Sequence, residues 1–188
     1  VYKKNMVMGE SVETALKLAR RWGYDVKGIP ENQAKIIVCD GNFHGRTISI
    51  ISFSEDPDSF KGFGPYTPGF ERIPYNDVEA LRIALQDPNV CAFMVEPIQG
   101  EAGVFVPADG YLAACKEACR EKNVLFVADE VQTGIARTGK MLACDHEGIR
   151  PDMVILGKAL SGGVLPVSAV LCDDEVMMCI KPGEHGST

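Results

Sequence analysis

The sequence lacks most of the features that would assign it to a specialised class of protein. Its 188 residues contain no apolar run close to the roughly 18 residues that cross a bilayer, so we expect no membrane partner. The seven cysteines are odd in number and form no C-x-x-C pair, which predicts reduced, buried thiols of an intracellular protein. With 19 Lys and Arg against 26 Asp and Glu, the net charge of −7 argues against binding to nucleic acid.

No metal site is predicted either. His44 and His146 have no partners at a spacing typical of metal ligands. Cys115 and Cys119 lie one helical turn apart, which would suit a weak metal pair, but packing in the core is the more common role of such residues.

The segments that remain alternate between two patterns. Continuous, β-branched apolar runs predict strands covered on both faces, at 35–39, 91–95, 124–128, 153–156 and 167–171. Amphipathic stretches predict helices at 10–22, which Gly23 would end, from the Asp77 cap to Leu85, and at 110–122. Strands separated by helices need crossover connections, so we predict an α/β fold with a mostly parallel sheet flanked by helices.

Two further features concern organisation. The stretch 53–74 is rich in Gly, Pro and aromatic residues, and we predict a long loop of functional or interface type. The chain opens at Val1 rather than at Met and stops at Thr188 just after a Pro-Gly turn, so we expect a piece of a longer protein.

Polar residues follow three of the predicted strands. They are Glu96 with Gln99-Gly100-Glu101, then Asp129-Glu130, then Lys158. Ligands bind at the carboxyl ends of the strands in an open parallel sheet, so these residues predict the site.

Asp129 and Lys158 suggest a particular chemistry. Asp129 would emerge from a buried strand end, and apolar neighbours would desolvate Lys158 and free its amine as a nucleophile. Pyridoxal phosphate needs such a pair, because its aldehyde forms a Schiff base with a lysine and its ring nitrogen needs an acid partner. Spacing alone leaves an ordinary buried ion pair equally open.

Longer stretches of the sequence favour the cofactor site over the ordinary ion pair. The stretches 127–134, 137–139 and 151–163 resemble the class-III aminotransferases of fold type I, in the correct order along the chain. The stretches 42–47, 62–65, 95–103 and 180–188 are similar to the ornithine-specific branch of that family. The resemblance implies that residues 1–188 are part of the large, cofactor-binding domain, with an N-terminal segment and a C-terminal small domain outside the chain.

The same resemblance implies roles for individual residues around pyridoxal 5'-phosphate. Lys158 would bind the cofactor covalently and carry the proton, and Asp129 would hold the pyridinium N–H. Gln132 would contact the phenolic oxygen, and Phe43 would stack on the ring, although a core aromatic is the commoner fate of a phenylalanine.

Substrate and subunit contacts are implied as well. Arg46 would pair with the substrate carboxylate, the alternative being a surface or interface salt bridge. Glu101 would act as a switch that pairs with an arginine beyond the chain. Ser187 and Thr188 would reach the cofactor phosphate of a neighbouring protomer, which implies a homodimer or a higher homo-oligomer.

One stretch departs from the family pattern. The first helix of the family opens with a phosphate-binding Asn-Thr/Ser-Gly-x-Glu-Ala stretch, and here Met8 and Gly9 take the positions of the Gly-x pair. Backbone amides can still bind phosphate at a helix N-terminus, so Met8 and Gly9 are the expected contacts.

The implied reaction transfers the δ-amino group of L-ornithine to 2-oxoglutarate, giving glutamate 5-semialdehyde and glutamate in the mitochondrial matrix or the cytoplasm. Two alternatives stay open. One is another ω-amino transaminase, of the acetylornithine or 4-aminobutyrate type. The other is a catalytically inactive piece that folds or pairs without turnover.

Overall fold

The computed structural model describes residues 8–185. The strands in this part of the chain are β1 (Lys35–Cys39), β2 (Phe70–Ile73), β3 (Val90–Val95), β4 (Leu125–Asp129), β5 (Met153–Leu156) and β6 (Ala169–Cys172). They form one six-stranded sheet in the order β2-β1-β3-β4-β5-β6. Every neighbouring pair is parallel except β5 and β6, which run antiparallel. The predicted mostly parallel sheet is therefore confirmed.

Helices cover both faces of this sheet. They are α1 (Met8–Asp25), α2 (Pro57–Phe60), α3 (Val78–Ala84), α4 (Tyr111–Glu121) and α5 (Asp174–Met177). Helices α1 and α5 bury apolar residues in one cluster with alternate strand residues such as Ile36 and Met94. Helices α3 and α4 share a second cluster with the intervening residues, among them Ile37 and Phe93. The continuous apolar runs thus reflect strands that are buried on both faces.

Two sequence predictions about local structure are wrong. The stretch 53–74 is not a plain loop, because it contains α2 and the edge strand β2. Helix α1 does not end at Gly23 but continues to Asp25. A Cβ atom at Gly23 would lie 2.8 Å from the Cβ atom of Cys91, so this glycine allows α1 to approach β3 closely.

The cysteines match their prediction. All seven are free thiols in the structure, and all are buried except the half-buried Cys172. Cys115 and Cys119 lie on the buried face of α4 within the second apolar cluster, as core packing predicts. No helix between residues 8 and 185 is both long and apolar enough to cross a membrane.

Candidate active site

The predicted polar residues converge at the carboxyl edge of the sheet. Strands β1, β3, β4 and β5 are neighbours there, and the segments that follow them enclose one cleft. The cleft is lined by Phe43, His44, Gly45, Glu96, Asp129, Val131, Gln132 and Lys158. Asp129 and Lys158 therefore face the same cavity, as the predicted chemistry requires.

Asp129 is the last residue of β4 and is only 5% exposed. Its Oδ1 atom accepts a hydrogen bond from the Val131 amide at 3.1 Å. Its Oδ2 atom lies 2.6 Å from Nδ1 of the buried His44. Each carboxylate oxygen of Asp129 therefore has a hydrogen-bond partner at the edge of the sheet.

His44 is the important residue that the sequence interpretation missed. Burial alone would lower the pKa of His44, but the hydrogen bond and the charge of Asp129 outweigh burial, so the pKa is raised. The buried Nε2 atom of His44 has no hydrogen-bond partner among residues 8–185. His44 lies five residues after β1, beside the same sheet edge, but no pattern in the sequence indicates its contact with Asp129.

Lys158 follows β5 and begins a short 3₁₀ turn that ends at Ser161. Its φ angle of 41° lies in the left-handed region, which residues other than glycine rarely adopt and which is enriched at functional sites. The prediction that apolar neighbours desolvate this amine is wrong for the described chain, because the side chain is 39% exposed. Its backbone leaves the buried strand there and carries the side chain out into the open cleft.

Glu101 links two of the predicted residues. Its Oε1 atom accepts a hydrogen bond from Nε2 of Gln132 at 3.2 Å. The same oxygen lies 4.0 Å from Nζ of Lys158. Glu101 therefore stands at the mouth of the cleft with its side chain 53% exposed.

Phe43 and Arg46 lie on the loop after β1. The guanidinium of Arg46 stands 5.8 Å from the centre of the Phe43 ring. Its Nη2 atom lies 3.8 Å from Oδ2 of Asp56, and the side chain is 62% exposed. Arg46 thus makes a surface ion pair with Asp56, at a position adjoining the cleft.

The N-terminus of α1 lies beside the cleft. A Cβ atom at Gly9 would stand 2.6 Å from Cγ2 of Thr47, so α1 packs tightly on the segment after β1. A Cβ atom at Gly45, which lines the cleft, would lie 3.5 Å from Cα of Gly9. Met8 and Gly9 form the first turn of α1 at this point, while Ser187 and Thr188 lie outside the described residues.

The pair of His44 and Asp129 predicts a pH-dependent stability. Replacing His44 with phenylalanine leaves the buried Asp129 carboxylate short of a donor, so we expect a loss of about 3–5 kcal/mol in the free energy of unfolding. Because the folded pKa of His44 is raised, its stabilising contribution is complete below its unfolded pKa and disappears as pH rises through the folded pKa. Urea unfolding should therefore show a larger loss near pH 6 than near pH 9.

The matched control is His146→Phe. His146 is exposed, and its Nε2 atom lies 3.0 Å from the Thr138 carbonyl oxygen. Surface changes of this kind usually alter stability by about 0.5 kcal/mol or less. An equal loss for His44→Phe at both pH values would contradict the charged pair.

Comparison with known proteins identifies the family of this chain. The family model described as aminotransferase class-III matches residues 6–188 of the chain. The chain belongs to the class-III aminotransferases.

Relatives of this class-III aminotransferase chain carry more specific names. The mitochondrial ornithine aminotransferase of Rattus norvegicus is 66% identical over the whole chain, which covers 43% of the rat protein. An ornithine aminotransferase structure from Toxoplasma gondii, with partial occupancy of PLP at its active site, superposes with a TM-score of 0.96. That structure is 55% identical, and the match covers 99% of this chain and 44% of the other.

One solved relative bears a different name. The acetylornithine aminotransferase of Elizabethkingia anophelis is 62% identical with a TM-score of 0.83, and the match covers 99% of this chain and 45% of that one. The chain thus spans less than half of the length of each of these class-III relatives.

The residues of the cleft fit pyridoxal phosphate. The buried carboxylate of Asp129 would suit a protonated ring nitrogen, and the solvent-accessible primary amine of Lys158 in the same cleft would suit an aldehyde. Phe43 supplies an aromatic face and Gln132 an amide, so each group that this class-III aminotransferase would need toward the ring is present in one place.

Proposed function

We propose that this chain forms the cofactor-binding part of an ornithine aminotransferase. The reaction transfers the δ-amino group of L-ornithine to 2-oxoglutarate and yields L-glutamate 5-semialdehyde and L-glutamate. The observation that carries the proposal is the meeting of Asp129, Gln132, Lys158 and Phe43 in one cleft. The names of the rat and Toxoplasma relatives support ornithine as the substrate.

Four of the residues that line the cleft have a proposed role. Pyridoxal phosphate supplies an electron sink for the amino group that is transferred. The carboxylate of Asp129 holds the proton of the ring nitrogen, and the Gln132 amide binds the phenolic oxygen. Phe43 would pack on one face of the ring. The Lys158 amine would hold the cofactor at its aldehyde and, once the substrate amine has displaced it, would move the proton at the substrate carbon.

The remaining site residues are proposed for phosphate and substrate. Backbone amides of Met8 and Gly9 at the start of α1 suit an anion, because the helix N-terminus carries unpaired N–H groups and a partial positive charge. Arg46 would exchange its exposed pairing with Asp56 for the substrate carboxylate. Glu101, which faces both Gln132 and Lys158, would change partner between the two substrates.

The proposal also covers the longer enzyme to which the chain would belong, its dimer and its compartment. Residues 1–188 would be part of the large domain of a longer enzyme, which agrees with their match to 43% of the rat protein. Ser187 and Thr188 would contact the cofactor phosphate of a neighbouring protomer in a homodimer. The name of the rat relative favours the mitochondrial matrix over the cytoplasm.

Amino-donor competition tests this proposal. The full-length enzyme is supplied with 2-oxoglutarate and either L-ornithine, N-acetylornithine or 4-aminobutyrate. We expect kcat/KM for ornithine to exceed the others by at least about tenfold, the scale of one well-placed charged contact. Measuring both glutamate and glutamate 5-semialdehyde checks that the δ-amino group is the one transferred.

A preference for N-acetylornithine would overturn the proposal. The 62% identity to the Elizabethkingia enzyme makes that activity the second candidate. The 188-residue chain by itself is expected to be weak or inactive, because the proposed switch partner of Glu101 lies outside it.

A further inference from the structure

Glu96 is a buried carboxylate to which none of the roles above applies. It follows the last residue of β3, is 5% exposed and lines the same cleft as Asp129 and Lys158. Its Oε2 atom accepts a hydrogen bond from the backbone amide of Phe43 at 2.9 Å. An acid that is taken out of water at the edge of a ligand cleft needs a specific reason to be there.

The backbone amide that Glu96 binds belongs to a segment that lines the cleft. Phe43 lines the cleft, and Nδ1 of the next residue, His44, lies 2.6 Å from Oδ2 of Asp129. Two carboxylates from neighbouring strands therefore hold consecutive residues of one loop, Glu96 through a backbone amide and Asp129 through a side chain. Moving the Phe43 amide would move both the ring and the imidazole.

We propose that Glu96 is a positioning residue that fixes the Phe43–His44 segment against the cleft, and that protonation of its carboxylate weakens the hold of the cleft on its cofactor. This inference rests on the proposed function, since it takes the occupant of the cleft to be pyridoxal phosphate. Glu96 touches no reacting atom in this scheme and acts through Phe43 and His44.

The surroundings of Glu96 bring the pKa of its carboxyl group close to neutral pH. Burial raises the pKa of Glu96 to about 7, and the charge of Asp129 adds to this, while His44, the Phe43 amide and Lys158 oppose it. The titratable groups that face it come from several elements: His44, Tyr75, Asp129, Lys158 and Cys39. Above this pKa the bond to the Phe43 amide is charge-assisted, and below it the bond joins two neutral groups and is weaker.

Two variants separate position from charge. Glu96→Gln keeps an oxygen that accepts from the Phe43 amide but cannot ionise, whereas Glu96→Ala removes the acceptor. The dissociation constant of pyridoxal 5'-phosphate is measured by its visible absorbance in the full-length enzyme from about pH 5.5 to about pH 8.5. Dividing each variant's constant by that of the unmodified enzyme at the same pH removes the titration of the free cofactor, which is common to all three experiments.

The ratio for Glu96→Gln is expected near one at the acid end and to rise about fivefold or more at the basic end, where only the natural enzyme has the stronger, charge-assisted bond. For Glu96→Ala the ratio should be about tenfold or more across the whole range. A Glu96→Gln ratio that stays constant with pH would overturn the role of charge. A Glu96→Ala enzyme that binds the cofactor as tightly as the natural one would overturn the positioning role.

A measurement without cofactor distinguishes failure of this inference from failure of the proposed function. Amide hydrogen exchange of the peptide that contains Phe43 is followed in the apo forms of the same three proteins. We expect Glu96→Ala to speed exchange of the Phe43 amide about tenfold or more, and Glu96→Gln to retain most of the protection. Unchanged exchange in Glu96→Ala overturns the inference, whereas absence of any Lys158-dependent cofactor binding overturns the proposed function and the cofactor part of this one.

Discussion

The Lys158→Ala enzyme is expected to lose at least about 10⁴-fold in kcat for ornithine. A positioned acid or base contributes roughly 10²- to 10⁴-fold to a proton transfer, and this variant also loses the covalent bond to the cofactor aldehyde. In the proposed scheme both steps depend on the amine of Lys158, which is exposed in the described cleft at 4.0 Å from Glu101. Single-turnover formation of glutamate 5-semialdehyde is the measurement that isolates this loss from substrate binding.

Lys122→Ala is the matched control for this prediction. Lys122 is an exposed residue between α4 and β4, and its amine contacts Gln86. It lies near the start of β4, whereas Asp129 is the last residue of that strand. This variant should keep kcat within about twofold, as expected for a surface change away from the site. Ornithine turnover by Lys158→Ala at a rate comparable to the unmodified enzyme would refute the role of Lys158.

Replacing Asp129 with asparagine should lower kcat/KM by about 10²- to 4 × 10³-fold. The change keeps the shape of the side chain but removes a buried charge from its pairing with His44, and removing one partner of a buried pair costs about 3–5 kcal/mol. At about 1.4 kcal/mol for each factor of ten, this energy gives the expected loss if the ring nitrogen depends on the same charge. The visible absorbance of bound cofactor should shift in the variant, because the ring nitrogen would no longer be held protonated.

Asp152→Asn provides the control for that prediction. Asp152 pairs with Lys116 at 2.6 Å and accepts from the Phe126 amide at 2.7 Å, just before β5 and away from the cleft. It should lower stability without changing the absorbance of bound cofactor. A similar loss of kcat/KM in both asparagine variants would mean that Asp129 acts only through folding.

The sequence predicted the sheet well because its strands are buried on both faces. The runs that became β1, β3, β4 and β5 are continuous and apolar, so a single strong signal marked each of them. Asp129 and Lys158 were found for a related reason, since a charged residue directly after such a run has few positions open to it other than the sheet edge.

Other features depend on tertiary contacts that no local pattern reports. Strand β2 contains Glu71 and Arg72 and lies at the edge of the sheet, where only one neighbour pairs with it. The sequence around Gly23 is typical of a helix end, but Gly23 lies inside α1, where the lack of a side chain leaves room for Cys91 of β3. The role of His44 depends on its contact with Asp129, and because Asp129 is far away in the sequence, no local pattern indicates that contact.

The exposure of Lys158 has a similar explanation. Its apolar neighbours in sequence suggested a desolvated amine, but the left-handed φ angle at this residue turns the chain out of β5. Local composition cannot report such a turn, because the conformation is uncommon for any residue with a side chain.

Covalent trapping tests the central claim most directly. The full-length enzyme is incubated with pyridoxal 5'-phosphate, reduced with borohydride, digested and mapped by mass spectrometry. We expect the reduced cofactor on Lys158, with labelling that disappears in Lys158→Ala but persists in Lys122→Ala. Labelling of a different lysine, or equal labelling of the Lys158→Ala enzyme, would contradict the claim that Lys158 binds the cofactor in the cleft that it shares with Asp129.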